Sequence, residues 1–186
     1  MASRHCRSFF VHSRGPIALG VTLFEKLPAT RPGASAPLIT ELSPMAVERT
    51  LCIIKPDAVE KKHAGAILAL LEQKGFTLQA IKRTHLSKAV AEGFYAVHTA
   101  RPFFGELVTF MTRSPVVIAV LEREDAVAQY RAVMGATDPA KAEAGTIRKL
   151  FGGSVGENAC HGSDSLDNAK IEIAYFFPSS EVAPTA

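Results

Sequence analysis

The sequence predicts an α/β (α+β) sandwich, ferredoxin-like in topology: a four-stranded antiparallel sheet with helices, a βαββαβ core plus extra helices. Three observations carry this. Four apolar or β-branched runs, at 49–55, 77–86, 115–122 and 158–162, have strand character. The windows between them space apolar residues three and four apart, as helices do. The chain of 186 residues, 47% hydrophobic and 21% charged, has the length and composition of one soluble domain with some surplus.

The elements follow in order. "RTLCIIK" (49–55) is a β-branched run that stops at Pro56, and a residue before proline prefers extended geometry. Asp57 is placed to cap a helix whose apolar face is Ile67, Leu68, Leu70 and Leu71, closed by Gly75. "TLQAIKRTHL" (77–86) is a weaker strand. Ser87 caps a helix running through Tyr95 and His98, and a second helix covers 103–112. "PVVIAVLE" (115–122) is apolar throughout, the mark of a central strand covered on both faces. A helix over 124–134 leads into a Gly- and Pro-rich loop, 135–157, long enough to suggest function. After the short strand at 158–162, Leu166, Ala169, Ile173 and Phe176 fall at helical spacing.

Residues 1–44 stand apart. They hold Pro16, Pro28, Pro32, Pro37 and Pro44, show no sustained periodicity and contain no acid before Glu25. Three readings compete: an organelle transit segment, a secretory signal with "IALGVTLF" as its apolar stretch and "ASA" (34–36) as its cleavage site, or an over-extended start upstream of Met45. The last is favoured, and in each case the segment is expected to lie outside a domain of 45–178, which a tail of 179–186 follows. The extension carries five basic and two acidic residues, and the other 142 residues carry 16 of each. A neutral body argues against a general nucleic-acid surface. No stretch reaches the ~18 apolar residues of a membrane span. Cys6, Cys52 and Cys160 are far apart and odd in number, so a disulfide framework is not expected and a reducing compartment is. Cys160 beside His161 does not suggest a metal site, because neighbours on a strand face opposite ways and no second Cys or His cluster supplies ligands.

Taken singly, the polar residues are bland. Lys55 ends a strand, Arg131, Arg148 and Thr137 suit helix ends and loops, and Phe103 and Phe104 suit a core. His63, His85 and His98 show no partner in the sequence and read as structural or exposed. The combination is more specific. "ERTLCIIKPDAV" (48–59), "EGFYAVHTARPFFGELVTFM" (92–111), "GATDPAKAEAGTIR" (135–148) and "NACHGSDS" (158–165) together resemble the nucleoside diphosphate kinases, in order and in spacing, over 46–177.

The resemblance implies a reaction in which the γ-phosphate of a nucleoside triphosphate passes to a nucleoside diphosphate through a phosphorylated histidine, at the pros nitrogen of His161. Neutral imidazole is a good nucleophile near neutral pH, with an unperturbed pKa of ~6.5. A covalent intermediate lets donor and acceptor use one site in turn. By the same resemblance Glu172 orients the ring, Ser163 supports that contact, and Lys55, Tyr95, Arg131, Thr137, Arg148 and Asn158 contact phosphates and sugar. Phe103 and Val155 sandwich the base, with Leu107 beside them, and a stack on a π face tolerates any base. Mg²⁺ would arrive on the nucleotide phosphates, with at most a water-mediated role for Asp164 and no direct protein ligand. Neither a Walker A motif nor a glycine-rich kinase loop is present, and "FGGSVG" (151–156) reads as loop geometry.

Two departures from the family pattern stand out. Ala144 occupies a position usually held by proline, which frees the unfolded chain and should lower stability by roughly 0.5–1 kcal/mol. The short end after Phe177 looks bacterial. A homo-oligomer, tetramer or hexamer, and a cytoplasmic location are expected, with organelle import if 1–44 is a genuine transit segment. Two rivals remain: a ferredoxin-like RNA-binding module, which would need a basic face and exposed sheet aromatics, and a catalytically inactive nucleotide-binding subunit, against which every motif position is filled.

Overall fold

The structure, a computed structural model, describes residues 46–182 and 184. The extension 1–44 and its three readings lie outside the described residues. Four strands, β1 (Val47–Ile54), β2 (Thr77–Thr84), β3 (Val116–Glu124) and β4 (Cys160–Gly162), form one sheet in the order β2-β3-β1-β4. Every pairing is antiparallel. This is the expected ferredoxin-like sheet.

The two apolar strands take the middle. Alternate residues of β1 enter different cores: Cys52 and Ile54 lie with α1 (Pro56–Glu60), α2 (Ala64–Gln73) and α5 (Ala126–Met134). Leu51 and Ile53 lie with α3 (Lys88–Phe94), α4 (Phe104–Met111) and α7 (Leu166–Phe176). A strand covered on both faces needs no polar alternation, which is why β1 and β3 read as continuous apolar runs. Register sets Ile53 between Ile118 of β3 and His161 of β4, so His161 shares the face that α3, α4 and α7 cover.

Several local expectations hold. Ser87 Oγ accepts from Val90 N at 3.3 Å to cap α3, which ends short of a 3₁₀ turn at Ala96–His98. Gly75, at φ 83°, ends α2. Three need correction. The helix read from Asp57 to Gly75 is two helices, because Lys62 adopts φ 62° and turns the chain between them. Asp57 caps neither: it sits inside the first turn of α1, fully buried, and its Oδ2 accepts from Ala159 N at 3.0 Å. The loop 135–157 contains a short helix, α6 (Ile147–Phe151), whose Ile147 is buried in the first core. Beyond α7, Ser179–Glu181 form a 3₁₀ turn, and Val182 packs against the second core. Among the described residues no helix is long and apolar enough to cross a membrane.

Candidate active site

His161 sits on β4, a strand of three residues at the sheet edge. The strand is short because Ala159, just before it, is in the left-handed region at φ 65°. A non-glycine residue there costs roughly 1–2 kcal/mol, and two bonds hold it: Ala159 N donates to Asp57, and Lys55 N donates to Ala159 O at 2.9 Å. On the other side of the histidine, Gly162 lies so close to Tyr130 that a Cβ would come within 2.5 Å of the ring. The Tyr130 hydroxyl lies 3.0 Å from Cys52 Sγ and 3.1 Å from the His161 carbonyl. The backbone of the histidine is clamped on both sides.

The ring is held from behind. Ser165 caps α7 through Asn168 N at 3.2 Å, and that helix delivers Glu172 to the imidazole. His161 Nε2 lies 3.2 Å from each Glu172 oxygen. A carboxylate only accepts, so the ring proton is on Nε2 and the lone pair of Nδ1 is left for an electrophile. Ser163 is fully buried; its hydroxyl donates to Glu172 Oε2 at 2.6 Å and accepts from Leu51 N at 3.2 Å. The rings of Phe94 and Tyr95 stand edge-on to the imidazole, with centroids 5.4 and 6.2 Å away.

In front of His161 opens a cleft of about 970 Å³, lined among others by Lys55, Tyr95, Phe103, Leu107, Thr137, Arg148, Val155 and Asn158. Lys55 Nζ donates to Asn158 Oδ1 at 2.7 Å, and Asn158 Nδ2 donates to Thr137 O at 3.1 Å. Burial lowers Lys55 to about 8, with the Arg148 charge adding to the shift. Arg148 is anchored by bonds to Gly135 O (3.0 Å) and Cys160 O (3.2 Å), while its Nε is buried without a partner. The Tyr95 hydroxyl is likewise buried and unpartnered. Burial, and then the charge of Glu172, hold it well above the usual phenol range. Lys55 and Arg148 beside His161, with the Tyr95 hydroxyl and Arg148 Nε unmet, suit a dense anion.

Of the residues singled out in the sequence, those named on the cleft wall come together with His161. Ser163 and Glu172 lie behind the ring and are not on that wall. Arg131 is exposed on α5 and does not line the cleft; its charge acts on Asp164, whose carboxylate is lowered mainly by the bond from Asn168. The wall also holds residues that sequence reasoning missed: His98, Glu106, Thr109, Phe110, Arg113 and Glu157. His98 is no bystander, since its ring stacks on Tyr95 at 6.4 Å and meets Phe103 at 5.8 Å. Phe110 was within reach, seven residues from Phe103 and so on the same helical face. Cys52 and Cys160 are buried thiols, raised by that burial to about 12 and about 11. Among the described residues no group of three or more His, Cys, Asp or Glu could hold a metal ion.

The family model for nucleoside diphosphate kinase matches residues 48–182, the span that contains this cleft. The chain belongs to the nucleoside diphosphate kinase family. It is an enzyme of phosphoryl transfer between nucleotides. A nucleoside diphosphate kinase of Sorangium cellulosum is 69% identical over 142 residues, 76% of this chain and 99% of its own. One of Anaeromyxobacter dehalogenans is 63% identical over 138 residues, 74% of this chain and 94% of its own. Among solved structures, the Aquifex aeolicus nucleoside diphosphate kinase superposes with a TM-score of 0.73 at 47% identity, covering 74% of this chain and all of that one. A halophilic member from Halobacterium salinarum, solved in complex with CDP, gives 0.72 at 40% identity, covering 76% and 94%.

Proposed function

We propose that this family member works by a ping-pong mechanism through His161, phosphorylated on Nδ1. The observation that carries it is the Glu172 contact, which occupies Nε2 and leaves Nδ1 as the free nucleophile. The Nδ1 lone pair forms a bond to the γ-phosphorus as the bond to the β-phosphate oxygen breaks, and the diphosphate leaves with that electron pair. A second diphosphate then attacks the phosphohistidine, and the N–P electrons return to Nδ1. The proton on Nε2 stays put, and the carboxylate stabilises the positive charge that the ring gains while phosphorylated.

The cleft residues supply position and charge, which is most of what phosphoryl transfer needs. Lys55 and Arg148 neutralise phosphate oxygens, Thr137, Asn158 and Tyr95 hold phosphate and sugar, and Phe103 and Val155 face the base with Leu107 alongside. Arg131 is assigned to the phosphates on family resemblance alone, being exposed on α5 and off the cleft wall. Mg²⁺ fits this site only as a companion of the nucleotide. The wall's carboxylates are Glu106 and Glu157, the second paired with Arg113, and among the described residues no group of three or more His, Cys, Asp or Glu could hold an ion, so the phosphates would hold it, with Asp164 acting through water. Bound there, it neutralises phosphate charge. Homo-oligomerisation, to a tetramer or hexamer, is supported by β2, an edge strand in the single chain with Ile81 half exposed. A cytoplasmic location goes with the same reading.

Incubation with γ-labelled ATP should give an acid-labile, base-stable label on the protein that unlabelled diphosphate removes. His161→Gln should lose label and turnover but still bind ADP. Ping-pong turnover surviving in that variant would remove His161 from the mechanism.

A further inference from the structure

We infer that Arg113 is a positioning residue that sets the gap of the base slot. The inference rests on the reading of Phe103 and Val155 as the two walls of that slot. Both are unusually open for apolar residues, Phe103 at 48% and Val155 at 57% exposure, and both face the cleft. They come from unconnected segments: Phe103 enters α4, while Val155 sits in the loop between α6 and β4.

That loop closes mainly on itself. Gly153 N and Ser154 N both donate to Glu157 O, and Glu157 N donates to Ser154 Oγ. Its tie to the α4 side is one guanidinium. Arg113, two residues past α4, donates through Nη1 to Glu157 Oε1 at 2.6 Å. Through Nε and Nη2 it also grips both oxygens of Glu60, at the end of α1, at 2.9 and 2.8 Å. The guanidinium lies 5.0 Å from the centroid of Phe110, and Phe110, Arg113 and Glu157 all line the cleft. Arg113 is thus braced on α1 and on an aromatic of α4, and with its remaining edge holds the Val155 loop opposite Phe103. The fork matters, because Arg113 meets the two carboxylates through three separate nitrogens of one rigid plane, whereas a lysine ammonium places all its donors on one atom. The three partners are 39–41% exposed. Such pairs add little to global stability, so this network acts through geometry.

Arg113→Ala should raise the KM for ATP, GTP and CTP alike, on the order of fivefold, with kcat at saturation and melting temperature nearly unchanged. Glu157→Gln should reproduce the rise, and Arg113→Lys should recover only part of the loss. ADP affinity should fall in Arg113→Ala while the affinity for tripolyphosphate, which has phosphates and no base, should not. Phe103→Ala is the control for the slot itself. If Phe103→Ala raises KM and Arg113→Ala does not, the positioning role is overturned and the slot stands. If neither raises it, the slot reading falls and the inference with it. Equal losses for ADP and tripolyphosphate would mean that Arg113 holds the whole cleft and not the slot.

Discussion

Glu172 offers a sharp test because it touches the nucleophile without lining the cleft. In Glu172→Gln the side chain keeps its shape and one acceptor but loses its charge. The carboxylate stands 3.2 Å from Nε2 through both oxygens, with His161 and Glu172 only 23% and 20% exposed. A hydrogen bond to a charged group contributes roughly 1.5–3 kcal/mol. Coulomb attraction between full charges 3.2 Å apart at an effective dielectric of 20 bounds the effect at ~5 kcal/mol. The charge on the ring grows during phosphorylation, so the loss belongs to the chemical step. At about 1.4 kcal/mol per decade, the rate of phosphoenzyme formation should drop roughly 10- to 150-fold. The assay is a single-turnover quench with γ-labelled ATP, read beside steady-state KM. Glu172→Ala should be worse, since it also strips the buried Ser163 hydroxyl of its acceptor. A wild-type single-turnover rate in Glu172→Gln, or a loss confined to KM, would refute the orienting role.

Arg148→Ala should slow transfer for every nucleotide by roughly 2–4 kcal/mol in the barrier, whereas Phe103→Ala should weaken binding by roughly 1–3 kcal/mol and spare kcat. Steady-state kinetics with ATP, GTP and CTP separate them, and a reordering of the bases in Phe103→Ala would contradict face-on stacking. Burial lowers Lys55 to about 8, so nucleotide affinity should weaken as pH rises through that value, and Lys55→Met should flatten the profile in a titration calorimeter. Between about 8 and the ordinary 10.5 the unfolded chain holds this proton and the folded chain does not, so this group makes stability rise with pH across that window. Removing residues 1–44 should leave specific activity and melting temperature unchanged, because β1 begins at Val47 and the family match at 48.

The sheet and most helices were legible because their signals are local and periodic. β1 and β3 are apolar runs, and α7 repeats its apolar residues at helical spacing. α6 was missed because five residues are too few to show a period. The break between α1 and α2 was missed because Lys62, neither Gly nor Pro, adopts positive φ. The site was legible in a different way. Lys55, Tyr95, Arg148 and His161 each look ordinary, and only the family resemblance joined them. What that resemblance does not carry stayed hidden. Arg113 and Glu157 are 44 residues apart, and nothing in either neighbourhood announces the pairing.

The arrangement separates two tasks in space. Glu172 and Ser163 hold the His161 ring from behind, and on the proposed mechanism Lys55, Arg148, Phe103 and Val155, which line the cleft in front, would receive the nucleotide. Between them runs a three-residue edge strand whose entry residue is strained and whose exit residue must be glycine. A longer strand would satisfy more backbone groups but would carry Ala159 into the ladder. The bond that Ala159 N now gives to Asp57 would then be lost, while Lys55 N already donates to Ala159 O as a ladder pair would. Those bonds tie the backbone leading into His161 to the end of β1, where the Lys55 ammonium enters the cleft. The local cost at Ala159 therefore serves registration: the proposed nucleophile, His161, and the proposed phosphate-binding cation, Lys55, are fixed to each other through the backbone, and not through the flexible side chains themselves.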